Sequence, residues 1–236
     1  MFLELAEALD CPICRSSVGL VAFATKTQDR RVIQGWLGCP LCELEFPIDG
    51  GSIDFSEIAG PAMATEVESD GNVSFGSGEC LSPTVPLQWA KSPSDQVVRL
   101  AAMLGLGGRD GMVLLLGPGL SNSAVQLTKL AERIEVLCWF DSRKSAQSIM
   151  TLEELVTGVN PMIGALVGSW PFRTGSLDGI ALLSPAVSDL PEVERCAGQG
   201  ARLVVINPTE DDVVTLEERG FSGVAHDNST WVGERN

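Results

Sequence analysis

Two hydrophobic periods alternate along most of the chain. Short apolar runs, which are typical of buried strands, are separated by stretches whose apolar side chains recur at helical spacing. The predicted strands are residues 112–117, 135–140, 162–168, 178–184, 201–207, 221–226 and 229–235. The predicted helices are residues 92–106, 121–134, 142–156, 189–200 and 209–220. This alternation predicts a doubly wound, mostly parallel α/β sheet that ends in an antiparallel hairpin.

The first part of the chain follows a different pattern. Residues 1–9 have helical spacing, and two strand-like runs at 17–26 and 31–38 are joined by a polar turn, which predicts a hairpin. A Cys-x-x-Cys pair stands on each side of this hairpin. We therefore predict a small N-terminal domain that is separate from the α/β sheet.

The segment between these two parts is rich in Gly and Ser and contains Asp and Glu but no Lys or Arg. Such a composition is typical of a solvated linker. The predicted organisation is a small domain at 1–56, a linker at 57–85 and an α/β domain at 86–236. If the linker separates two cores, loss of Cys39 should unfold the small domain alone.

The cysteine pairs predict a metal site. Cys11, Cys14, Cys39 and Cys42 place two thiolates on each of two knuckles, which a hairpin can bring together as the tetrahedron that Zn²⁺ prefers. Reduced pairs or disulfides are the alternative, and iron in a rubredoxin-like site is a minor one. Four thiolates fill the coordination sphere, so the metal is predicted to be structural. It would replace the core that so short a segment lacks.

Charge and composition disfavour several classes of function. The chain carries 16 basic and 31 acidic residues, for a formal charge of −15, whereas nucleic-acid binders carry basic patches. No apolar stretch is long enough for a membrane helix, and the first residues lack a secretory signal, so we expect a cytoplasmic location. The only histidine, His226, lies in a polar segment and is expected to be a surface residue.

The cysteine segment resembles a known zinc-ribbon family. The stretches LELAEALDCPIC and LGCPLCELEFPIDGGSIDF are similar to the small ribbons that activate tRNA and protein methyltransferases. That family ends in an aromatic-Pro-Ile-Asp-Gly segment, matched here by residues 46–50. The resemblance implies a protein partner that docks on the ribbon. Such ribbons also occur fused ahead of methyltransferase domains.

The remainder resembles a class I S-adenosylmethionine-dependent methyltransferase with a Rossmann-like sheet. The motifs that carry the resemblance are MVLLLGPGLSNSA, IEVLCWFDSRKSA, LVGSWPFRTGSLDGIALLSPAV and RCAGQGARLVVINP, in the family's order. The resemblance implies that a turn at Gly117 and Gly119 approaches the cofactor. It also implies that Asp141, at the end of the second strand, holds the ribose hydroxyls. Ser121 and Ser169 occupy two further cofactor positions.

Three positions depart from the family pattern. Leu115 stands where the first strand usually carries an acid, Ser121 replaces the third glycine, and Ser169 replaces the acid near the adenine. These departures favour a degenerate pocket that binds S-adenosylmethionine weakly. The chain would then be a weakly active methyltransferase or a non-catalytic scaffold or subunit.

Two alternatives remain open at this point. One is an active S-adenosylmethionine-dependent methyltransferase that acts on a small molecule or a protein. The other, which the acidic charge disfavours, is an rRNA or tRNA methyltransferase. No catalytic base stands out after the fourth strand. Ser184 could contact a substrate there, although an ordinary loop serine is the simpler interpretation.

The acidic charge leads to a prediction about RNA. Duplex or structured RNA should bind no better than non-specifically at physiological salt, because a net charge of −15 repels phosphate. Filter binding with tRNA and rRNA fragments over a range of salt concentrations measures this. A salt-sensitive, sub-micromolar complex would contradict the prediction and support the rRNA or tRNA methyltransferase.

Overall fold

The computed structural model of the chain describes residues 1–57, 93–108, 110–140, 146, 158–164, 170–185, 189–227 and 229–236. Except for Glu57, the segment predicted as a linker lies outside the described residues. The helix predicted at 142–156 does so too, except for Ala146. Among the residues that the structure describes, no helix is long and apolar enough to cross a membrane.

Eleven strands form one mixed sheet in the described part of the chain. They are β1 Val21–Gln28, β2 Arg31–Gly38, β3 Glu45–Asp49, β4 Ser52–Asp54, β5 Gly111–Leu116, β6 Ile134–Phe140, β7 Val159–Ile163, β8 Leu177–Leu183, β9 Ala197–Ile206, β10 Phe221–His226 and β11 Thr230–Arg235. The helices are a 3₁₀ helix at Leu3–Ala8 and the α-helices α1 Pro93–Met103, α2 Pro118–Ser121, α3 Ala124–Leu130, α4 Leu190–Cys196 and α5 Glu210–Glu218.

The strand order is β1-β2-β3-β4-β7-β6-β5-β8-β9-β11-β10. Neighbouring strands from β7 to β9 are parallel, whereas β11 pairs antiparallel with both β9 and β10. The order reverses between β5 and β8, as in a doubly wound fold. The predicted alternation of strands and helices and the closing hairpin are thus confirmed for the described residues.

Several predicted elements differ in the structure. The helix predicted at 121–134 is interrupted between α2 and α3, and its last residue, Ile134, already belongs to β6. The helix predicted at 1–9 is a short 3₁₀ helix, and the strand predicted at 162–168 starts earlier, at Val159. The Asn-Pro step at 160–161 looks like a turn, but both residues pair with β6. Residues 197–200, expected to end a helix, already belong to β9. For β7 and β9, pairing with neighbouring strands outweighs the local propensity.

The N-terminal strands join the α/β sheet directly. Strand β4 pairs in parallel with β7 through Ile53–Met162 and Asp54–Ile163. The pairing continues past the strand end, because the N–H of Phe55 donates to the carbonyl of Ile163 at 2.8 Å. The first 57 residues therefore extend the edge of the large sheet.

The two faces of the sheet carry two cores. Along β5 and β6 successive side chains alternate between them, as the pleat requires. Helices α1 and α3 cover one face, whereas the N-terminal strands, the 3₁₀ helix, α4 and α5 contribute to the core on the other. The expectation that a linker separates two cores is wrong, since residues from both segments form one core. The predicted boundaries 1–56, 57–85 and 86–236 stay predictions.

Aromatic side chains run through this shared core. Phe55 stacks on Trp139 with ring centroids 5.8 Å apart and also contacts Phe46 at 5.1 Å. Trp139 meets the edge of Phe172 at 6.2 Å, and Phe172 meets Trp170 at 6.4 Å. Aromatic packing of this kind contributes beyond the buried area alone, so the aromatic series binds the N-terminal segment firmly to β6 and to the loop before β8.

A buried arginine strengthens the same junction. Arg31 is 1% exposed, donates to the carbonyl of Val159 at 2.7 Å and lies over the ring of Phe2, 4.4 Å from its centroid. Burial lowers the pKa of Arg31 to about 10, although the charge of Glu135 opposes the shift. The N–H of Phe2 donates to Asn160 at 3.0 Å. Polar contacts thus pair β2 and the start of the chain with β6 and β7.

The shared core leads to a prediction about stability. Replacing Phe46, which is fully buried, with Ala should cost about 3–5 kcal/mol. Because the core is shared, the loss should shift the unfolding of β5–β9 as well as of β1–β4. Urea unfolding, followed by tryptophan fluorescence and far-ultraviolet circular dichroism, measures both.

The control for this prediction is Val214→Ala on the exposed face of α5, where Val214 is 54% exposed and a change below about 0.5 kcal/mol is expected. Two separate transitions, of which Phe46→Ala moves only one, would contradict a shared core.

Candidate metal centre and cofactor crevice

The two cysteine knuckles have the same local geometry. Cys11–Cys14 follows the 3₁₀ helix, and Cys39–Cys42 connects β2 with β3. The residue after each second cysteine, Arg15 or Glu43, adopts a left-handed backbone with φ of 53° or 57°. Its N–H donates to the carbonyl of the first cysteine at 2.9 Å in both knuckles. Two equal turns therefore present their sulfurs to each other across the hairpin.

The four sulfurs lie together, within 4.8 Å of one another. The Sγ atoms of Cys11 and Cys42 are 3.6 Å apart, and those of Cys14 and Cys39 are 3.5 Å apart. A tetrahedral zinc ion with Zn–S bonds of about 2.3 Å holds its sulfurs about 3.8 Å apart, whereas a disulfide needs about 2.0 Å. The donor set therefore fits a Cys₄ metal site and not two disulfides.

The surroundings of the sulfurs favour thiolate at Cys39 alone among the three cluster cysteines with shifted pKa values, since burial raises the pKa of Cys42 as well as that of Cys11. Burial alone raises the pKa of Cys39, but N–H donors from Cys42 and Leu41 outweigh it, with help from thiol contacts, and lower the pKa to about 7. Burial raises the pKa of Cys11 above its usual range. A bound cation would stabilise all four thiolates, so metal binding and deprotonation are coupled.

The other cysteines in the described residues show no such arrangement. Cys138 and Cys196 are fully buried, and burial raises the pKa of each thiol to about 12. Both are inert thiols at neutral pH. The interpretation of Cys138 as a small buried hydrophobic residue is confirmed.

The second candidate site is the crevice at the reversal point of the sheet, where β5 lies between β6 and β8. Gly117 directly follows β5, has a φ of 127° and begins the turn into α2. A Cβ at this position would lie 2.8 Å from the Cβ of Leu183 on β8. Only glycine fits this conformation and this close approach. The tight strand-to-helix turn predicted at Gly117 is therefore present.

Polar groups around the turn are mostly directed into the protein. Ser121 is buried, with its hydroxyl 3.5 Å from the carbonyl of Gly117, and it contacts the thiol of Cys138. The carbonyl of Gly119 accepts a hydrogen bond from Gln96 of α1 at 3.3 Å. Sequence reasoning did not identify Gln96, since nothing in its local pattern marks a residue that reaches the turn.

The strand that leads to the turn offers no carboxylate at the position where the family pattern has one. Leu115 is fully buried and packs in the core beneath α1 and α3. Asp141 and Ser169, the other predicted cofactor residues, lie outside the described residues. Ser184 is exposed just after β8, and its N–H pairs with the carbonyl of Ile206 at 2.9 Å. His226 is exposed on the edge strand β10.

No known family model and no curated protein sequence matches the chain. Among solved structures, an O-methyltransferase family protein from Burkholderia thailandensis is 14% identical, with a TM-score of 0.48, over 61% of this chain and 56% of that one. Precorrin-6y C5,15-methyltransferase from Geobacter metallireducens GS-15 is 13% identical, with a TM-score of 0.47, over 58% of this chain and 85% of that one.

A SAM-dependent O-methyltransferase from Thermotoga maritima is 14% identical, with a TM-score of 0.45, over 59% of this chain and 64% of that one. The chain thus spans less than two thirds of the Thermotoga and Burkholderia proteins.

The sulfur geometry leads to a prediction about metal content. Freshly purified protein should contain one zinc ion per chain, and Cys39→Ser should lose it because three thiolates no longer complete the tetrahedron. Plasma mass spectrometry measures zinc and iron together. The matched control is Cys138→Ala, since Cys138 is buried far from the cluster on the opposite face of the sheet. Wild-type protein free of both metals would refute the site.

Proposed function

We propose that the chain is a methyltransferase-like protein with a structural zinc ribbon and a degenerate S-adenosylmethionine crevice. It is weakly active or serves as a non-catalytic scaffold or subunit. The observation that carries the proposal is Leu115, fully buried in the strand that leads to a glycine turn of cofactor-binding type. The turn keeps the shape of a cofactor site, while the strand lacks the acid that such a site uses.

The strand order supports the part of this proposal that places a cofactor crevice of methyltransferase type in the chain. Ligands of doubly wound sheets bind outside the carboxyl ends of the strands where the order reverses. Here that place lies between β5 and β8, and Gly117 opens the turn there. The antiparallel hairpin β10–β11 after β9 agrees with the motifs in the sequence that resemble class I methyltransferases.

Electrostatics supports the part of the proposal that describes the crevice as degenerate. S-adenosylmethionine carries a sulfonium and an ammonium group, so acids in its site supply both hydrogen bonds and charge complementarity. Leu115 supplies neither, and Ser169 stands at the other position where the family has an acid. Each missing acceptor typically costs about 1–3 kcal/mol, so two losses weaken binding about a hundredfold or more.

The cysteine cluster fits a structural role within this proposal. Cys11, Cys14, Cys39 and Cys42 would hold a zinc ion and leave no position open for water or substrate. The ion supplies cross-linking and no reaction chemistry. These residues close a hairpin that extends the large sheet. The ribbon therefore stabilises the α/β half of the molecule, from α1 to β11, as well as the first 57 residues.

The alternatives differ in what the crevice binds. An active methyltransferase on a small molecule or a protein needs an acid from another segment, and an rRNA or tRNA enzyme also needs a basic surface. A protein partner on the ribbon remains part of the proposal. Ile13 and Leu41, at matching positions of the two knuckles, are 57% and 64% exposed and are the side chains that such a partner would contact.

The proposal predicts weak cofactor binding. Isothermal titration calorimetry should give a dissociation constant for S-adenosylmethionine in the high-micromolar range or weaker. S-adenosylhomocysteine, which lacks the sulfonium charge, should bind about equally well, since no acid distinguishes the two. Gly117→Ala should remove the remaining binding, because its Cβ would clash with Leu183 in a left-handed turn.

Val214→Ala, on the exposed face of α5, serves as the control for folding and surface effects. A low-micromolar dissociation constant with a clear preference for S-adenosylmethionine would refute the degenerate crevice and favour the active enzyme.

A further inference from the structure

A short segment before β8 contacts the first metal knuckle. The N–H of Asp10 donates to the carbonyl of Pro171 at 3.0 Å, and the N–H of Arg173 donates to the carbonyl of Ala8 at 2.9 Å. Leu9 and Phe172 form a β-bridge between these two bonds. Residues 8–10 and 171–173 are thus paired immediately before Cys11, the first cysteine of the metal cluster.

The side chain of Arg173 reaches both sides of that knuckle. Its Nε lies 3.0 Å from Oδ1 of Asp10, the residue just before Cys11. Its Nη2 lies 3.5 Å from the carbonyl of Ser17, which follows Cys14. One guanidinium from the α/β half therefore joins the entry and the exit of the loop that carries two metal ligands.

A glycine leaves room for this guanidinium. A Cβ on Gly19 would lie 2.2 Å from Nη2 of Arg173, and the φ of 87° is a conformation that other residues rarely adopt. Gly19 is buried between the knuckle and β1. The knuckle loop is consequently shaped around an arginine that lies far away in the sequence.

The other side of the segment is held by α4. Arg195 donates to the carbonyls of Phe172 at 2.6 Å and Trp170 at 2.9 Å, while Glu192 accepts the N–H of Trp170 at 2.8 Å. The two side chains also form an ion pair with each other. The segment is therefore fixed on one side by a helix of the α/β half and on the other by the knuckle.

We infer that Arg173 is a positioning residue for the metal centre, through which the α/β half holds Cys11 and Cys14 in place for the metal. Contacts outside the ligand set orient ligands and raise metal affinity. The coupling is reciprocal, because two groups that stabilise the same arrangement stabilise each other. Metal-loaded cysteines should therefore also order residues 170–173. This inference rests on the zinc ribbon of the proposed function, but it does not require the crevice to bind any cofactor.

The first test measures metal release with a chromogenic chelator. Arg173→Ala should release zinc about two- to fivefold faster than the wild type, as expected for a half-exposed ion pair. Arg173→Lys should fall between the two, since lysine keeps the charge but not the forked geometry that reaches both partners.

The matched control for this test is Arg219→Ala. Arg219 is similarly exposed, at 34% against 37%, and pairs with Glu194 away from the knuckle. It should leave the release rate unchanged. Equal rates for Arg173→Ala and the wild type, or equal acceleration by both alanine variants, would overturn the inference.

A double-mutant cycle tests whether Asp10 is the link. Asp10→Asn keeps the size of the side chain and removes its charge, so it should accelerate release by a factor similar to that of Arg173→Ala. The double variant should be no faster than either single variant, because both remove the same interaction. Factors that multiply would show that Arg173 acts by another route and would contradict the proposed positioning.

Hydrogen exchange tests the reverse direction. After the metal is removed with a chelator, amides of residues 170–176 should exchange faster, while the hairpin β10–β11 serves as the internal reference. Unchanged exchange at 170–176 would contradict the inference. If the metal-free chain unfolds as a whole, hydrogen exchange is measured instead on metal-loaded Arg173→Ala. Faster exchange at residues 8–19 than in the metal-loaded wild type supports the inference, and unchanged exchange contradicts it.

Discussion

The pairing of β4 with β7 is the contact on which the rest of the architecture depends. Two residue pairs, Ile53–Met162 and Asp54–Ile163, join the N-terminal strands to the parallel sheet. The edge of β7 would otherwise expose unpaired backbone groups, which are a liability for association. Because this edge is covered in cis, the aromatic series from Phe46 to Trp170 can close one face of the sheet as a single core.

The cysteine cluster and the large sheet both compensate for the small core of the N-terminal segment. A segment of this size buries too little apolar surface to fold firmly alone. Four cysteine sulfurs lie together at the ends of its strands, while β7 and the core cover its open side. Arg173 and Asp10 connect the two anchors, since they bring the loop before β8 against the first knuckle. The proposed metal cross-link would therefore contribute to the stability of the whole sheet.

Shape and chemistry diverge in the cofactor crevice that we propose. Gly117 preserves the backbone turn because its φ and the proximity of Leu183 allow no other residue. Leu115, two residues before Gly117, packs in the core, where leucine contributes burial that a carboxylate could not. The same position thus favours stability over ligand charge.

The sequence by itself determined the elements whose signals are local. Cysteine spacing identified the four residues whose sulfurs cluster, a glycine motif identified the turn at Gly117, and alternating periods identified the α/β class and the final hairpin. The tertiary structure alone decided the strand at Asn160 and Pro161, the junction at β4 and the contact between Arg173 and Asp10. Those features depend on partners more than a hundred residues away or on neighbouring strands. Hydrophobic periodicity reports which face of an element is buried, but not which element will cover it.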